Sequence, residues 1–517
     1  MATPQEKLAE SLEILKALQD GGTVAIRSAD LARTHRERLL KSGFIKEVMK
    51  GWYIPFGPDG ERGETTAWYA SFWGFCAGYL RERFGADWCL GPEQSLALNA
   101  GNRTVPVQLL VRAPKGGNKP TALLHGTSIF DMRAAMPPPG DVVELEGLRL
   151  FTPAAALVSA SPTIFKHSPT DARTVLTQIA DASEVLTHLL DGGHSIIAGR
   201  LAGAFRNIGR DRVADEIAHG MRAAGYTIRE SDPFDSLIDL APPQRPTSPF
   251  ASRIHPMWQA MRDAIAETFP TAPGRPNDVD AYLAHVEETY VADAYHSLSI
   301  EGYQVSPDLI ERVRSGGWNP DLDSRDRGHR DALAARGYYL AFQAVKESVA
   351  AVLSNENPGA VADRDHGRWY RELFAPSVGA GLARPADLAG YRSGPVYIRK
   401  SMHVPPAASE VRDAMPVFFQ MLQAEDHPAV RAVLGHFVFV YIHPYVDGNG
   451  RVGRFLMNVM LAAGGYPWTV IPVDRRSAYM DALEQASTKQ DVGPFRDFLQ
   501  ALVQDGLSGK ASATLPK

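Results

Sequence analysis

The stretch His443-Pro-Tyr-Val-Asp-Gly-Asn-Gly-Arg-Val-Gly-Arg454 joins two segments that both have the pattern of helices. The residues before it, 430–442, are apolar on nearly all sides, which predicts a buried helix. Pro444 cannot continue that helix, so we expect His443 at its C-terminal edge. A second helix is expected to begin near Gly450. The stretch therefore predicts a tight turn between two helices, with polar residues gathered at the turn.

The residue types in this turn suit the transfer of a phosphate-containing group. A histidine such as His443 titrates near neutral pH and can take a proton from a hydroxyl. Asp447 offers a hard oxygen ligand, and Mg²⁺ needs only one or two carboxylates when phosphates supply the rest. Gly448 and Gly450 remove side chains on both sides of Asn449, so that main-chain amides can approach an anion closely.

Two arginines follow on the second helix. Arg451 and Arg454 are three residues apart, so they lie on one helix face beside the positive end of the helix dipole. Both guanidinium groups can then reach the same polyphosphate chain. A base, a metal ligand, an anion nest and two arginines within twelve residues predict phosphoryl or nucleotidyl transfer.

These residues resemble the motif of the Fic family, His-x-Phe-x-(Asp/Glu)-Gly-Asn-Gly-(Arg/Lys)-x-x-Arg, with Tyr445 in place of the usual phenylalanine. The resemblance extends over about residues 252–505 and implies a helical fold that transfers AMP from ATP to a Ser, Thr or Tyr hydroxyl of a target protein. It implies the following roles: His443 as general base, Asp447 as Mg²⁺ ligand, Asn449 with the amides of Gly448 and Gly450 as a catalytic anion hole, Arg451 as the ligand of the phosphates, and Arg454 as the ligand of the γ-phosphate.

The segment Gly394–Pro406 alternates apolar and polar residues between prolines, which is typical of a β-hairpin. Taken alone, it could equally be an ordinary surface hairpin. In Fic proteins such a flap holds the target peptide by strand addition. The resemblance therefore implies that Val396, Tyr397, Ile398 and Arg399 dock the target.

A long amphipathic helix is expected over residues 279–300, and it ends in Ser297-Leu-Ser-Ile-Glu-Gly302. Such a helix end is common and is usually structural. Many Fic enzymes, however, carry (Ser/Thr)-x-x-x-Glu-(Gly/Asn) on an inhibitory helix. The resemblance therefore implies that Ser297 and Glu301 form a brake, in which Glu301 pairs with Arg454 and displaces the γ-phosphate. In some relatives the same glutamate supports removal of AMP.

Residues 1–57 are predicted to form three helices followed by a short hairpin, the pattern of a winged helix. Between Thr23 and Lys50 there are seven basic and three acidic residues, an excess of four positive charges. The segment 38–54 resembles the DNA-binding domain of AbiEi-type antitoxins, which belong to toxin–antitoxin systems. The excess charge predicts duplex DNA as a partner, while a solvated basic face on a protein-binding domain is the alternative. The residues predicted to bind DNA are Arg33, Arg36, Arg38 and Lys50.

A chain of 517 residues predicts more than one domain. We expect a multidomain fold with a winged helix (1–57), a mixed α/β antitoxin-like domain (58–240), a proline-rich linker (241–251) and an all-α Fic fold with a β-hairpin flap (252–510). The net charge of −5 excludes a general polycation, and two cysteines provide neither a disulfide framework nor a cysteine-rich zinc site. The start of the chain lacks the pattern of a signal peptide, so a cytoplasmic location is expected.

We therefore expect a self-inhibited adenylyltransferase with a DNA-binding front end, acting with ATP and Mg²⁺ on a target protein. One alternative is a DNA-binding autoregulator or antitoxin whose Fic domain acts as a sensor. Another keeps the fold and changes the reaction, because Fic relatives also transfer UMP, phosphocholine or phosphate, or remove AMP. Formation of a homo-oligomer is left open.

Overall fold

The computed structural model describes residues 3–57, 65–236, 248–317 and 330–516. The contacts between residues divide the chain into two compact units. The first unit comprises Met1–Pro249 together with Tyr397–Val404, and the second comprises Phe250–Val396 and Pro405–Lys517. The boundary at Pro249 falls inside the predicted linker, of which residues 241–247 lie outside the described residues.

The first unit begins with two helices and three short strands. These are α1 (Pro4–Asp20), β1 (Ile26–Arg27), α2 (Arg33–Lys41), β2 (Ile45–Met49) and β3 (Trp52–Pro55). The strands form an antiparallel sheet in the order β1-β3-β2, so the predicted hairpin over Lys50-Gly51 is confirmed. Thr3 starts α1 with a capping box, in which its side chain and that of Glu6 each accept an amide of the other residue.

One of the three helices predicted in residues 1–57 is wrong. The segment that begins at Ser28 is a turn rather than the start of a helix, and the described part of this region has only α1 and α2. The Asp30 carboxylate accepts the main-chain amide of Arg27 at 2.8 Å and also binds its guanidinium group. Such local side-chain bonds offer the backbone an alternative to helix. The winged-helix assignment therefore stays a prediction.

The rest of the first unit is mixed α/β, as predicted. Its elements are α3 (Thr66–Phe84), β4 (Cys89–Leu90), α4 (Pro92–Asn99), β5 (Gln108–Ala113), β6 (Pro120–Ala122), β7 (Ser128–Arg133), β8 (Val142–Leu145), β9 (Leu148–Phe151), α5 (Pro153–Ser159), α6 (Ile164–His167), α7 (Pro169–Gln178), α8 (Ser183–Asp191), α9 (Ser195–Asn207) and α10 (Asp211–Ala223). One sheet has the order β4-β5-β7-β6, with β5 and β7 parallel, and β8 pairs with β9 in a second sheet. The apolar faces of α3 and β5 share one buried cluster that also includes Ile54 of β3.

The segment Tyr397–Val404 groups with the first unit, although its neighbours in sequence belong to the second. The amide of Val105 donates to the carbonyl of Met402 at 2.9 Å, and the amide of Lys400 donates to Thr66 Oγ1 at 3.1 Å. The predicted hairpin is wrong, because Gly394–Pro406 is fully described and contains no strand. Its prolines have no amide to donate, and several of its main-chain groups bond to Thr66, Val105 and Arg392.

The described part of the second unit consists of helices without strands. They are α11 (Pro249–Ala266), α12 (Val279–Ile300), α13 (Pro307–Arg314), α14 (Arg330–Leu353), α15 (Pro358–Gly379), α16 (Ala408–Ala424), α17 (Pro428–Ile442), α18 (Asn449–Ala463), α19 (Arg476–Lys489) and α20 (Gly493–Leu507). The predicted all-α fold is confirmed for these residues. Nearly every residue of α17 and α18 is buried, so the turn between them is held from both sides by the core. Among the described residues, none of the helices has the length and apolar character required to cross a membrane.

Candidate active site

The candidate active site is the turn between α17 and α18. His443 ends α17 in the left-handed region, with φ 55° and ψ 60°. Its Nδ1 lies 3.1 Å from the carbonyl oxygen of Val440. Because a carbonyl can only accept, Nδ1 carries the proton and Nε2 retains its lone pair. Burial lowers the pKa of His443 to about 4, and the positive charge of Arg392 acts in the same direction. The ring is therefore neutral at pH 7 and able to accept a proton.

The side chain of Asn449 closes this turn. Its Oδ1 accepts the amide of Tyr445 at 2.8 Å, and its Nδ2 donates to the carbonyl of Tyr445 at 2.9 Å. The Tyr445 ring is buried and stacks on Tyr370 with a centroid separation of 3.8 Å. Asn449 therefore holds the loop in place, and only its main-chain amide remains for the anion hole that we predicted.

At both glycines of the turn, neighbouring groups lie so close that a Cβ atom would clash with them. Gly448 has φ +80°, and a Cβ there would lie 2.8 Å from the Phe374 ring. A Cβ on Gly450 would lie 2.4 Å from Glu301 Oε1. The first-turn amides of a helix have no acceptor within the helix, so the start of α18 presents donors at this point. The Glu301 carboxylate thus occupies a position suited to an anion.

Arg451 is fixed by two aromatic rings and a carboxylate. Its Cζ lies 5.3 Å from the centroid of Tyr303 and 5.0 Å from that of Phe374. Its Nη2 lies 3.3 Å from Asp447 Oδ2. The side chain is almost completely buried, and its Nε has no hydrogen-bond partner among the described residues. Buried donors are normally satisfied, so this one indicates a place for an external acceptor.

Arg454 contacts the end of α12. Its Nε donates to Ser297 Oγ at 2.8 Å, and its Nη2 donates to Glu301 Oε1 at 2.7 Å. Its Nη1 is buried without a hydrogen-bond partner among the described residues. Burial opposes the ionisation of Glu301, but the Arg454 guanidinium group outweighs it and holds the pKa of Glu301 below its ordinary value. The predicted pair is therefore an ion pair in a sheltered pocket.

Further contacts position the end of α12. Arg476 Nε donates to the carbonyl of Ile300 at 2.7 Å, which satisfies one of the last carbonyls of the helix. One turn before Ser297, Asp293 accepts a hydrogen bond of 2.7 Å from Tyr338. Burial raises the pKa of Asp293 to about 6. Ser297 and Glu301 are thus presented to Arg454 by a helix that is fixed at its end and along its buried face.

Comparisons with known proteins match the part of the chain that contains this turn. Residues 364–461 match the model of the Fic/DOC family. The C-terminal part of the chain therefore has a Fic-like helical fold. The protein adenylyltransferase Fic of Culex quinquefasciatus is 30% identical over 226 residues, which cover 43% of this chain and 42% of that protein. The one of Drosophila virilis is 31% identical over 217 residues, which cover 41% of each. The chain thus spans less than half the length of these curated relatives.

A solved structure of Fic-1 from C. elegans is also similar, with 20% identity and a TM-score of 0.36. The likeness covers 68% of this chain and 96% of that one.

The donor set of the Fic motif fits Mg²⁺ only together with a substrate. The Asp447 side chain is 62% exposed at the turn, so its carboxylate is accessible to a cation. In the part of the chain that the structure describes, no group of three His, Cys, Asp or Glu residues could hold a metal ion. Asp447 would supply one ligand, and phosphate and water oxygens would supply the others.

The residues predicted to dock the target are divided between the two units. Val396 lies in the second unit, whereas Tyr397, Ile398 and Arg399 lie in the segment that groups with the first. The Ser401 amide donates to the carbonyl of Ile398 at 3.1 Å, which makes a turn at the tip of the segment. Their role in docking stays a prediction.

The residues predicted to bind DNA differ in their availability. Arg36 donates to the carbonyl of Ser28 at 2.8 Å, and Arg38 donates to Ser11 Oγ at 2.7 Å. These two arginines therefore help to hold the first 57 residues together. The Arg33 side chain is 81% exposed and pairs with Glu37, while Lys50 is exposed at the β2–β3 turn. Arg36 and Arg38 thus have partners within the domain whereas Lys50 and Arg33 are more exposed, and DNA binding stays a prediction.

Four residues of the Fic-like site were not singled out from the sequence. They are Tyr303, Phe374, Arg392 and Arg476. Each acts through a contact with a residue far away in the chain, which spacing alone does not reveal. Tyr303 had the clearest signal, because it directly follows the Glu301-Gly302 pair of the predicted brake.

Proposed function

We propose that this chain is a self-inhibited protein adenylyltransferase, which transfers AMP from ATP to a Ser, Thr or Tyr hydroxyl of a target protein. One observation carries the proposal: a neutral base and two buried arginines with unsatisfied N–H groups surround the amide-rich start of α18. The curated relatives that are named protein adenylyltransferase support the reaction type.

The reaction follows from the atoms of the site. The target hydroxyl oxygen attacks the α-phosphorus of ATP, and the bond to the β-phosphate oxygen breaks. His443 Nε2 accepts the hydroxyl proton, and pyrophosphate leaves. The start of α18 and the N–H groups of Arg451 and Arg454 stabilise the negative charge that shifts towards pyrophosphate. When bound at Asp447, Mg²⁺ would neutralise charge on the phosphates.

The brake follows from the contact between Glu301 and Arg454. The Glu301 carboxylate accepts a hydrogen bond from an N–H group of Arg454 that would otherwise bind the γ-phosphate. It also lies against Gly450 at the start of α18. ATP must therefore compete with a charge-assisted hydrogen bond inside the pocket. Ser297 strengthens the brake, because it binds two nitrogens of the same guanidinium group.

Incubation with ATP labelled at the α-phosphate tests this function. The expected result is weak labelling of protein by the wild type, stronger labelling by Glu301→Gly, and none by Glu301→Gly with His443→Ala. Equal labelling by the last two would contradict the role of His443. If protein is labelled only by ATP that carries the label at the γ-phosphate, the reaction is phosphate transfer. Labelled UTP and CDP-choline test the other two donors in the same way.

DNA binding by the first 57 residues is a second proposal, and it includes the role of a transcriptional autoregulator of the toxin–antitoxin type. The exposed Arg33 and Lys50 and the local excess of positive charge support it. Binding of the DNA upstream of the gene should weaken with salt, and Arg33→Glu with Lys50→Glu should abolish it. Unchanged binding by that double variant would contradict the proposal. The buried free thiols of Cys76 and Cys89 are compatible with the cytoplasm that we propose as its location.

A further inference from the structure

Arg392 lies in the second unit, just before the Gly394–Pro406 segment, and is only 1% exposed. Its guanidinium group donates to three main-chain carbonyls. Nε donates to His443 at 2.9 Å, Nη1 to Gly394 at 3.0 Å and Nη2 to Pro406 at 2.6 Å. In addition, the Arg392 amide donates to the carbonyl of Pro444 at 2.9 Å. One side chain thus binds the main chain of His443 and both ends of the segment.

The chemistry of arginine explains why this residue serves that position. A guanidinium group is planar and carries five N–H donors in a fixed fork, so it can hold three acceptors at set angles. A lysine ammonium group is a flexible point charge that cannot fix the same three carbonyls. The carbonyl of His443 and those of Gly394 and Pro406 are therefore held in one rigid arrangement.

We infer that Arg392 is a positioning residue that couples the Gly394–Pro406 segment to His443. This inference rests on the proposed function, in which the segment meets the target and His443 takes the proton from the target hydroxyl. A displacement of either end of the segment reaches His443 through one side chain. Target docking and the orientation of the base are thereby linked, while the contacts of Arg451 and Arg454 with the nucleotide do not pass through Arg392.

The charges around His443 provide a readout of this coupling. Burial lowers the pKa of the ring, and the Arg392 charge lowers it further. The Val440 carbonyl, which holds the ring N–H, raises it, as do the negative charges of Glu301 on α12 and Asp447 in the turn. Removal of the positive charge at position 392 should therefore raise the pKa of His443.

The test compares Arg392→Lys and Arg392→Gln in the Glu301→Gly background, with α-phosphate-labelled ATP. Arg392→Lys should lower the labelling rate at saturating ATP on the order of tenfold, since a small misplacement of a catalytic group is costly. The Kd for ATP should change by less than about twofold, because the arginines that hold the phosphates are untouched. Arg253→Lys is the matched control, because Arg253 is equally buried and donates to Tyr441 Oη of α17. It should leave both quantities unchanged.

An NMR titration of the histidine rings tests the coupling without turnover. The His443 signal is identified by its loss in His443→Ala, and Arg392→Gln should raise its pKa while Arg392→Lys should not. An equal labelling rate in Arg392→Lys, or a loss that lies wholly in the Kd for ATP, would overturn the inference. So would an unchanged His443 titration in Arg392→Gln. If Glu301→Gly itself labels no protein, the proposed function fails, and the titration still decides the role of Arg392. Should Arg392→Gln not fold, the labelling rate of Arg392→Lys decides it.

Discussion

Replacing Glu301 by glutamine isolates the charge of the brake and keeps a hydrogen-bond acceptor in its place. The bond from Arg454 Nη2 to Glu301 Oε1 is 2.7 Å long, and the side chains are 4% and 27% exposed. A hydrogen bond between charged groups contributes about 1.5–3 kcal/mol. ATP must displace that bond, and each 1.4 kcal/mol is tenfold in affinity. Glutamine still accepts from Arg454, and a charge-assisted hydrogen bond is about twice as strong as one with a neutral partner, so about half of that energy is lost. Glu301→Gln should therefore bind ATP roughly threefold to tenfold more tightly.

The same change should lower the stability of the protein without nucleotide. Removing one partner of a buried ion pair costs up to about 3–5 kcal/mol, because the other charge is left unpaired. Glutamine still accepts from Arg454, so we expect the cost to lie below that range. ATP restores a negative partner and stabilises the protein by about 2.7 kcal/mol at a hundred times its Kd. The variant should thus melt at a lower temperature than wild type without ATP and gain more from ATP.

Calorimetric titration with ATP measures the affinity, and the His443→Ala background prevents turnover. Glu287→Gln is the matched control, because Glu287 lies on the same helix and binds Lys346 at 2.6 Å without contacting Arg454. ADP serves as a second control, since it lacks the γ-phosphate assigned to Arg454. Equal ATP affinity in Glu301→Gln and its parent would refute the reasoning, as would an equal gain in Glu287→Gln or an equal gain for ADP.

Three further predictions concern single side chains. In Glu301→Gly the labelling rate should stay level between pH 8 and pH 6, because His443 has a lowered pKa of about 4 and protonates only well below pH 6; an acid limb near pH 6.5 would contradict this. Gly450→Ala places a methyl group against Glu301 and Arg454 Nη1, so ATP should no longer raise the melting temperature. Asp293 has a raised pKa, so its contribution to stability is present below pH 4 and is lost as pH rises through 6. In urea unfolding, the free energy of unfolding of the wild type should fall by roughly 3 kcal/mol between pH 4 and pH 6 through this group. Asp293→Asn should lack that decrease.

The sequence predicted the turn between α17 and α18, because the residues that cause it are close together in the chain. Pro444 and the glycines dictate the turn through backbone chemistry that is local, so the positions of His443 and Arg454 could be inferred from spacing. The contact of Glu301 with Arg454 spans 153 residues and was inferred from family resemblance alone. Spacing carries no information on such a pair, because the intervening fold decides which helix ends meet.

The sequence did not reveal the partners of individual polar groups. The side chain of Asn449 bonds to the main chain of Tyr445, while the anion hole that the family resemblance implies for Asn449 and the neighbouring amides stays a prediction. The Gly394–Pro406 segment has the alternation of a hairpin, yet its amides and carbonyls bond to Thr66, Val105 and Arg392. In both cases a polar group had several possible hydrogen-bond partners, and the folded structure determines which of them it binds.

The two arginines of the site are restrained in different ways, and this difference determines what the brake can do. The rings of Tyr303 and Phe374 contact the guanidinium group of Arg451 without accepting a conventional hydrogen bond, and Asp447 accepts only from Nη2 at 3.3 Å, so the Nε–H group stays available to a phosphate. Glu301 instead takes an N–H group of Arg454, which is the kind of contact that a phosphate needs. A nucleotide can therefore engage Arg451 while the brake is closed. We infer that the brake weakens ATP binding at the end of the triphosphate, because the contact that it occupies is the one assigned to the γ-phosphate.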